Sequence, residues 1–352
     1  MAIIIVVGIL LGIVSLVLSI SILIIFLYSW FKVEPRRIQL LKFYLIPGRR
    51  DPEFTTLEYQ IGKKKSKRRL FRRILKPLTI FGFLLLIFIT FCAIFAPWLT
   101  KYPLEMLTHR GVLAGEDLPF ANPSKDHPLG TTKYAYDILG RVIWGCRTAI
   151  TFGLTTIIIG ATGGIIVGTI SAYFGGRVDA TIMRIADLIM IFPALILLIL
   201  FTQMIGQQLL IMLALFGMLS IPSFSRLMRS SVFQVKQNLY IEAAQTGGAK
   251  SFKIMFKHII PNAIAPMIIN FFGGVGAAIL GFTAIAFLGF GDESLPDWGS
   301  DINYARTQFS SYFAAFWPGL FISIAVMGFM LIGDGLRDAL DPRLRVTAKK
   351  VV

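Results

Sequence analysis

Charged side chains are scarce in this sequence of 352 residues: Asp, Glu, Lys and Arg make up 15%, against 55% hydrophobic residues and a mean hydropathy of +0.73. Soluble globular domains carry about a quarter charged residues, so that class is excluded. Cysteine is nearly absent. Only Cys92 and Cys146 occur, and Cys92 falls inside an apolar run, which excludes a disulfide framework and a cysteine metal site. His109, His127 and His258 have no ligand-like spacing. Neither a G-x-S-x-G elbow nor an H-E-x-x-H helix is found. The stretch nearest a P-loop, Gly247-Gly248-Ala249-Lys250-Ser251, has Ala249 and Ala244 where a Walker A sequence needs glycine. The chain is therefore not read as an enzyme, and no cofactor is expected in it.

What the sequence has instead is long apolar runs. About 20 consecutive apolar residues cross a bilayer as a helix, and such runs occur at about 2–28, 77–99, 149–174, 181–204, 207–223, 262–290 and 313–332. The fold class expected is all-α, a polytopic transmembrane helical bundle. Residues 1–30 form a separate N-terminal anchor, too long for a signal-peptide core and without a basic leader, and 31–76 a basic linker. The main bundle is 77–345 and the basic tail 346–352. The formal charge of +16 gathers in particular loops, which fits cytoplasmic loops facing anionic lipid headgroups and not a nucleic-acid-binding face. That bias puts the N-terminus outside and the C-terminus in the cytoplasm. It makes 100–147 an exterior segment and 226–261 a cytoplasmic loop. An acidic exterior loop carries Asp292, Glu293, Asp297 and Asp301. Gly160, Gly164 and Gly168, and again Gly273, Ala277 and Gly281, recur every four residues, placing small residues on one helix face for close packing.

The spans are almost free of ionisable groups. Transport driven by a proton or sodium gradient uses charges inside the membrane, so a gradient-driven carrier is the lesser alternative and any energy for active transport arrives from a partner. One cytoplasmic stretch is suited to receive it. Residues 241–246 form a short helix, Gly247-Gly248 permit a positive-φ turn, and Ser251 is placed to cap a second helix. In that helix Phe252, Met255, Phe256 and Ile259 share a face that Lys253 and Lys257 avoid. Pro261 suits the first turn of the span that follows.

Glu242, Ala243, Ala244, Gly248 and Pro261 stand in the register of the E-A-A loop of permease subunits in ATP-binding-cassette importers, which this stretch resembles. His258-Ile259-Ile260-Pro261 is similar to the H-I-L-P ending of the dipeptide/oligopeptide branch. Four further stretches resemble the C-type subunit of that branch: His127-Pro128-Leu129-Gly130-Thr131; Arg141 to Arg147; Phe287-Leu288-Gly289-Phe290-Gly291 with Trp298-Gly299; and Gly333 to Arg343. The likeness covers about residues 75–345 and departs between Thr131 and Arg141, where Thr132, Ala135 and Tyr136 replace the usual residues.

The resemblance implies a type I importer core of six helices plus one extra, in the cell membrane of a prokaryote. It also implies the partners: a sister B-type permease, two ATPase subunits that bind ATP and magnesium, an extracytoplasmic substrate-binding protein and membrane lipids, with no nucleic acid. Glu242, Ala243, Ala244, Gly248, Lys253, Lys257 and Pro261 would couple the chain to the ATPases. Di- and oligopeptides are the substrates this branch suggests, with oligosaccharides or nickel as alternatives within the same machinery.

Overall fold

A computed structural model describes residues 76–108, 119–308 and 311–340. The expected anchor at 2–28, the basic linker up to residue 75, His109 and the basic tail from Asp341 onward lie outside them. Among the described residues the ordered elements are helical, apart from an isolated bridge between Thr131 and Asp137.

The chain begins with α1 (Pro77–Leu99) and reaches α2 (Ile138–Phe174) through a 3-10 turn at Leu104–Leu107. The next two helices are α3 (Gly176–Ile191) and α4 (Ala194–Ile205), followed by α5 (Leu209–Lys236). Three short helices come next: α6 (Leu239–Thr246), α7 (Ser251–Ile254) and α8 (Ile260–Ala263). The last are α9 (Ala265–Ile285), α10 (Trp298–Ala305) and α11 (Phe313–Leu340). Among the described residues five helices are long and apolar enough to cross a membrane, and the pair α3 and α4, bent by 80°, makes a sixth if counted as one broken span. The bend falls at Phe192-Pro193, where proline disfavours a helical conformation in the preceding residue and Phe192 is extended.

Most of the fold belongs to one compact unit, Phe81–Asp334. Its centre is the seam between α2 and α5. A Cβ on Gly160 would come within 2.7 Å of the Ser220 Cβ, one on Gly164 would run into Phe224, and one on Gly168 would meet the Met228 Cβ at 2.9 Å. The partners advance in step, so the two helices run parallel with backbones in near contact. Phe152, Leu198, Met212, Leu213, Phe282 and Ile285 close the core where α2, α4, α5 and α9 meet, with the rings of Phe152 and Phe282 stacked 4.3 Å apart. In the small second unit, Lys76 pairs with Asp338 at 2.5 Å and Thr79 lies against Gly335.

The second small-residue stripe behaves differently. A Cβ on Gly281 would touch the Phe216 ring at 2.8 Å, whereas Gly273 has open space around it and Ala277 is exposed. Their spacing does not produce a continuous seam within this chain.

Helix α2 begins at Ile138, not near Ala149. Its 37 residues rise about 55 Å at 1.5 Å each, far more than the ~30 Å of a hydrocarbon core. Asp137 starts it by accepting from the Gly140 amide at 2.6 Å, and it stops at Gly175. Charge at Arg141 and Arg147 hides the continuation from a hydropathy reading. Each guanidinium has a local partner: Pro97 in α1 has no N–H to give the Ala93 carbonyl, and Arg147 Nε donates to it instead at 3.0 Å. Helix α5 likewise runs on to Lys236, past the expected end near Ser223, and α11 continues through Asp334 to Leu340.

Candidate functional site

Two places in the fold gather the sequence motifs, one at each end of the α2–α5 core. The first is the hairpin that follows α5. Lys236 Nζ donates to the last carbonyls of α2, at 2.7 Å to Tyr173 and 3.4 Å to Ala172, and Arg229 holds Asp179 of α3 through two bonds of 2.5 Å. Arg226 pairs with Asp187 beside them. Cations at helix C-termini and a forked guanidinium–carboxylate pair fix where α5 ends, and hence where the hairpin starts.

Within the hairpin, α6 carries Glu242, Ala243 and Ala244, and the turn places Gly248 at φ +76, a backbone conformation that a side chain strains. The Gly248 amide donates to the Gln245 carbonyl at 3.0 Å and that of Ala249 to Ala244 at 3.1 Å, which closes α6. The cap expected of Ser251 is not made. Ser251 is the first residue of α7, and Lys250 stands at the cap in an extended conformation without a side-chain bond. After Ile254 the helix widens into a π turn, Met255–Ile259, before α8 takes up Pro261 in its first turn.

That π turn redistributes the apolar stripe. Met255 and Ile259 are buried, joined by Ile241, Ile254 and Ile260, and they seat the hairpin on the bundle. Phe252 and Phe256 instead remain 67% and 51% exposed, with ring centroids 4.4 Å apart. Leu239 and Tyr240 are exposed as well, at 81% and 43%. Around this apolar surface lie the exposed Glu242, Ala243, Gly248, Lys253 and Lys257, with Ala244 half-buried. Clustered exposed apolar side chains outside a membrane-spanning helix mark a surface made for a partner. Sequence reasoning missed Leu239 and Tyr240. It also placed Phe252 and Phe256 on one face with Met255 and Ile259, as a plain 3.6-residue period does.

At the other end, the motifs that lie far apart in sequence interlock. Arg141 Nε donates to Asp301 and its Nη1 to the Leu107 carbonyl at 2.6 Å, tying α2, the 3-10 turn and α10 together. Trp298 Nε1 donates to the Val142 carbonyl at 2.9 Å, and a Cβ on Gly145 would strike that same nitrogen. The glycine of the R-V-I-W-G stretch thus makes room for the tryptophan of the W-G stretch. His127 Nδ1 lies 3.0 Å from Asp137 Oδ1, with the Tyr102 ring stacked on the imidazole. Of the four carboxylates expected on an acidic loop, Asp297 and Asp301 are buried; Asp297 caps α10 by accepting from the Ser300 amide at 2.8 Å.

Electrostatics at this end follow from burial. Asp297 and Asp301 share the single guanidinium of Arg141, and desolvation pushes both carboxyls up, Asp301 to about 6, although Arg141 pulls the other way. Burial also raises the Tyr304 phenol to about 12, which keeps it neutral. Among the described residues no group of three or more His, Cys, Asp or Glu side chains could hold a metal ion.

Five or six apolar helices among the described residues, with an amphipathic hairpin at one end and a buried polar knot at the other, mark an integral membrane protein. Comparison with known sequences makes the assignment specific. Residues 164–346 match the family of binding-protein-dependent transport system inner membrane components, and residues 67–114 match the N-terminal transmembrane domain of oligopeptide transport permease C. The chain is similar to a dipeptide transport system permease protein, DppC, from Alkalihalophilus pseudofirmus, at 35% identity over 84% of this chain and 96% of the relative. It is also similar to an oligopeptide transport system permease protein, OppC, from Bacillus subtilis, at 34% over 76% and 86%. A third relative is a glutathione transport system permease protein, GsiD, from Escherichia coli, at 33% over 79% and 89%.

The chain belongs to the binding-protein-dependent transport system inner membrane component family. It is a multi-pass permease subunit of an ATP-binding-cassette importer, it is not itself an enzyme, and membership implies ATPase and substrate-binding-protein partners.

Proposed function

We propose that this chain forms half of the translocation pathway of a peptide importer, opposite a sister permease, and that it receives its driving force through residues 239–261. The observation that carries the coupling is the exposed apolar surface of Leu239, Tyr240, Phe252 and Phe256 on a hairpin whose other face is buried. In this reading an ATPase subunit, one of two that bind ATP and magnesium, covers that surface. Glu242, Lys253 and Lys257 contact it through their charges, Ala243 and Ala244 permit close approach, and Gly248 and Pro261 set the angles at which α6 and α8 leave the hairpin. Because the buried face is packed into the bundle, displacement of the hairpin moves the membrane helices. The hairpin lies in the cytoplasm, as the positive-inside bias expects, and the Arg141 cluster outside.

Peptides are the substrates that the names of the similar permeases support. Nothing among the described residues favours sugars or nickel over them. The test is a Gly248→Val variant in the reconstituted importer. A valine at φ +76 strains the turn by about 1–3 kcal/mol. ATP hydrolysis is expected to persist while binding-protein-dependent peptide uptake falls at least tenfold; uptake at the wild-type rate refutes the coupling role.

A further inference from the structure

Beside the Arg141–Asp301 pair lies a cleft of about 260 Å³ lined by Lys133, Tyr134, Glu293, Asn303, Tyr304 and Arg306, among others. One wall is a tight turn, in which the Ala135 amide donates to the Thr132 carbonyl at 3.0 Å and that of Thr132 to Tyr136 at 2.9 Å. The turn places Ala135 at φ +59, rare for a residue with a side chain. It carries Lys133 and Tyr134 at its tip. This is the stretch in which the sequence departs from its family's pattern. The facing wall is the end of α10, held from beneath by the Asp297 cap and by Arg141. Gly289, at φ +92, adds no side chain to the cleft, and a Cβ there would sit 3.5 Å from Asn303 Nδ2.

The lining has a chemical signature. Tyr134 and Tyr304 meet edge to face at 5.0 Å and make an aromatic side. Lys133 lies 5.7 Å from the Tyr134 ring and Arg306 5.9 Å from the Phe287 ring, and neither cation has a carboxylate within salt-bridge distance among the described residues. Most ion pairs elsewhere in the fold are closed: Arg141 with Asp301, Arg229 with Asp179, Arg226 with Asp187. Two cations against one carboxylate, Glu293, leave the lining net positive, and beside an amide, hydroxyls and aromatic edges they suit a carboxylate on a short polar chain. The volume is below the ~300–1,000 Å³ of sites that enclose a drug-sized ligand, so it accommodates an end of a peptide and not a whole oligopeptide.

Resting on the proposed peptide-importer reading, we infer that this cleft holds the C-terminal carboxylate of a peptide, with Arg306 and Lys133 as its cationic contacts and Tyr134 and Tyr304 flanking the last residue. The walls are fixed by buried bonds, so the site is preorganised and loses little entropy on binding. Its place outside the apolar spans makes it a station ahead of the pathway. The divergent 132–136 turn then sets which peptides are admitted.

The test uses the full-length chain in lipid nanodiscs and two probes, dialanine and dialanine amide, titrated by saturation-transfer NMR. Dialanine is expected to bind about tenfold more tightly than the amide, which lacks the anionic end; a tenfold ratio corresponds to about 1.4 kcal/mol. Arg306→Gln and Lys133→Gln change exposed residues that the fold does not rest on. Each is expected to weaken dialanine several-fold and to narrow the gap between the probes. Equal binding of acid and amide, undiminished binding in both variants, or competition by acetate as effective as by dialanine overturns the inference. Dialanine uptake by the assembled importer separates the two readings. Uptake without acid–amide discrimination removes the cleft alone, whereas an importer that carries no peptide removes the peptide reading and the cleft with it.

Discussion

Arg141 is one of two charged side chains in the largely apolar α2, and its partners account for its place. Buried ion pairs repay desolvation only when the geometry is good and further hydrogen bonds are made, and losing one partner of such a pair costs about 3–5 kcal/mol. Here the guanidinium has Asp301 and the Leu107 carbonyl, while Asp297 adds a second carboxyl to the same pocket. Burial, with the charge of Asp297 added against the pull of Arg141, raises the Asp301 carboxyl in the folded protein to about 6 from the ordinary 3.8. The folded state therefore binds this proton more tightly than the unfolded state. The associated stability is present below about pH 4 and is lost as pH rises through about 6. Thermal unfolding of the detergent-solubilised chain is expected to show that decline between pH 4 and 7, and Asp301→Asn is expected to make it shallower. An unchanged slope in the variant contradicts the assignment to Asp301.

At the scale of elements, the α2–α5 seam and the hairpin show what a sequence can and cannot reveal. The small residues at 160, 164 and 168 were legible because a four-residue period places them on one helix face whatever surrounds it. The same period at 273, 277 and 281 was equally visible but says nothing of which helix comes near: among the described residues a Cβ on Gly281 would meet Phe216, while one on Gly273 would meet nothing within 4 Å. The start of α2 was missed because Arg141 and Arg147 look like loop residues until Asp301 and the Ala93 carbonyl are in place. The exposure of Phe252 and Phe256 was missed because a π turn breaks the helical period, and no residue type announces it. The seam makes a sharp prediction. Gly164→Leu overpacks the contact with Phe224 and is expected to lower stability by about 1–3 kcal/mol, while Gly273→Ala, with open space around it, stays within about 0.5 kcal/mol. Equal effects in denaturation of the two variants contradict the packing described.

For the whole molecule, the family, the helical class and the absence of catalytic machinery were all readable in the sequence, since motif order and apolar runs survive without coordinates. The peptide substrate class came from the resemblance alone, because the apolar spans bear few groups that could specify one. The described fold joins a hairpin with one buried and one exposed apolar face to a polar knot across the length of α2. Such an arrangement converts motion at one end into movement at the other only if a partner grips the exposed face. Gln245, whose side chain is exposed on α6, offers the most direct probe. A Gln245→Cys variant, labelled with a membrane-impermeant maleimide in vesicles of either orientation, isolates the hairpin because both native cysteines are buried. Docking in the cytoplasm predicts labelling only in inside-out vesicles and at least severalfold slower labelling once the ATPase subunits are bound. Labelling from the outer face, or a rate indifferent to the ATPases, contradicts it.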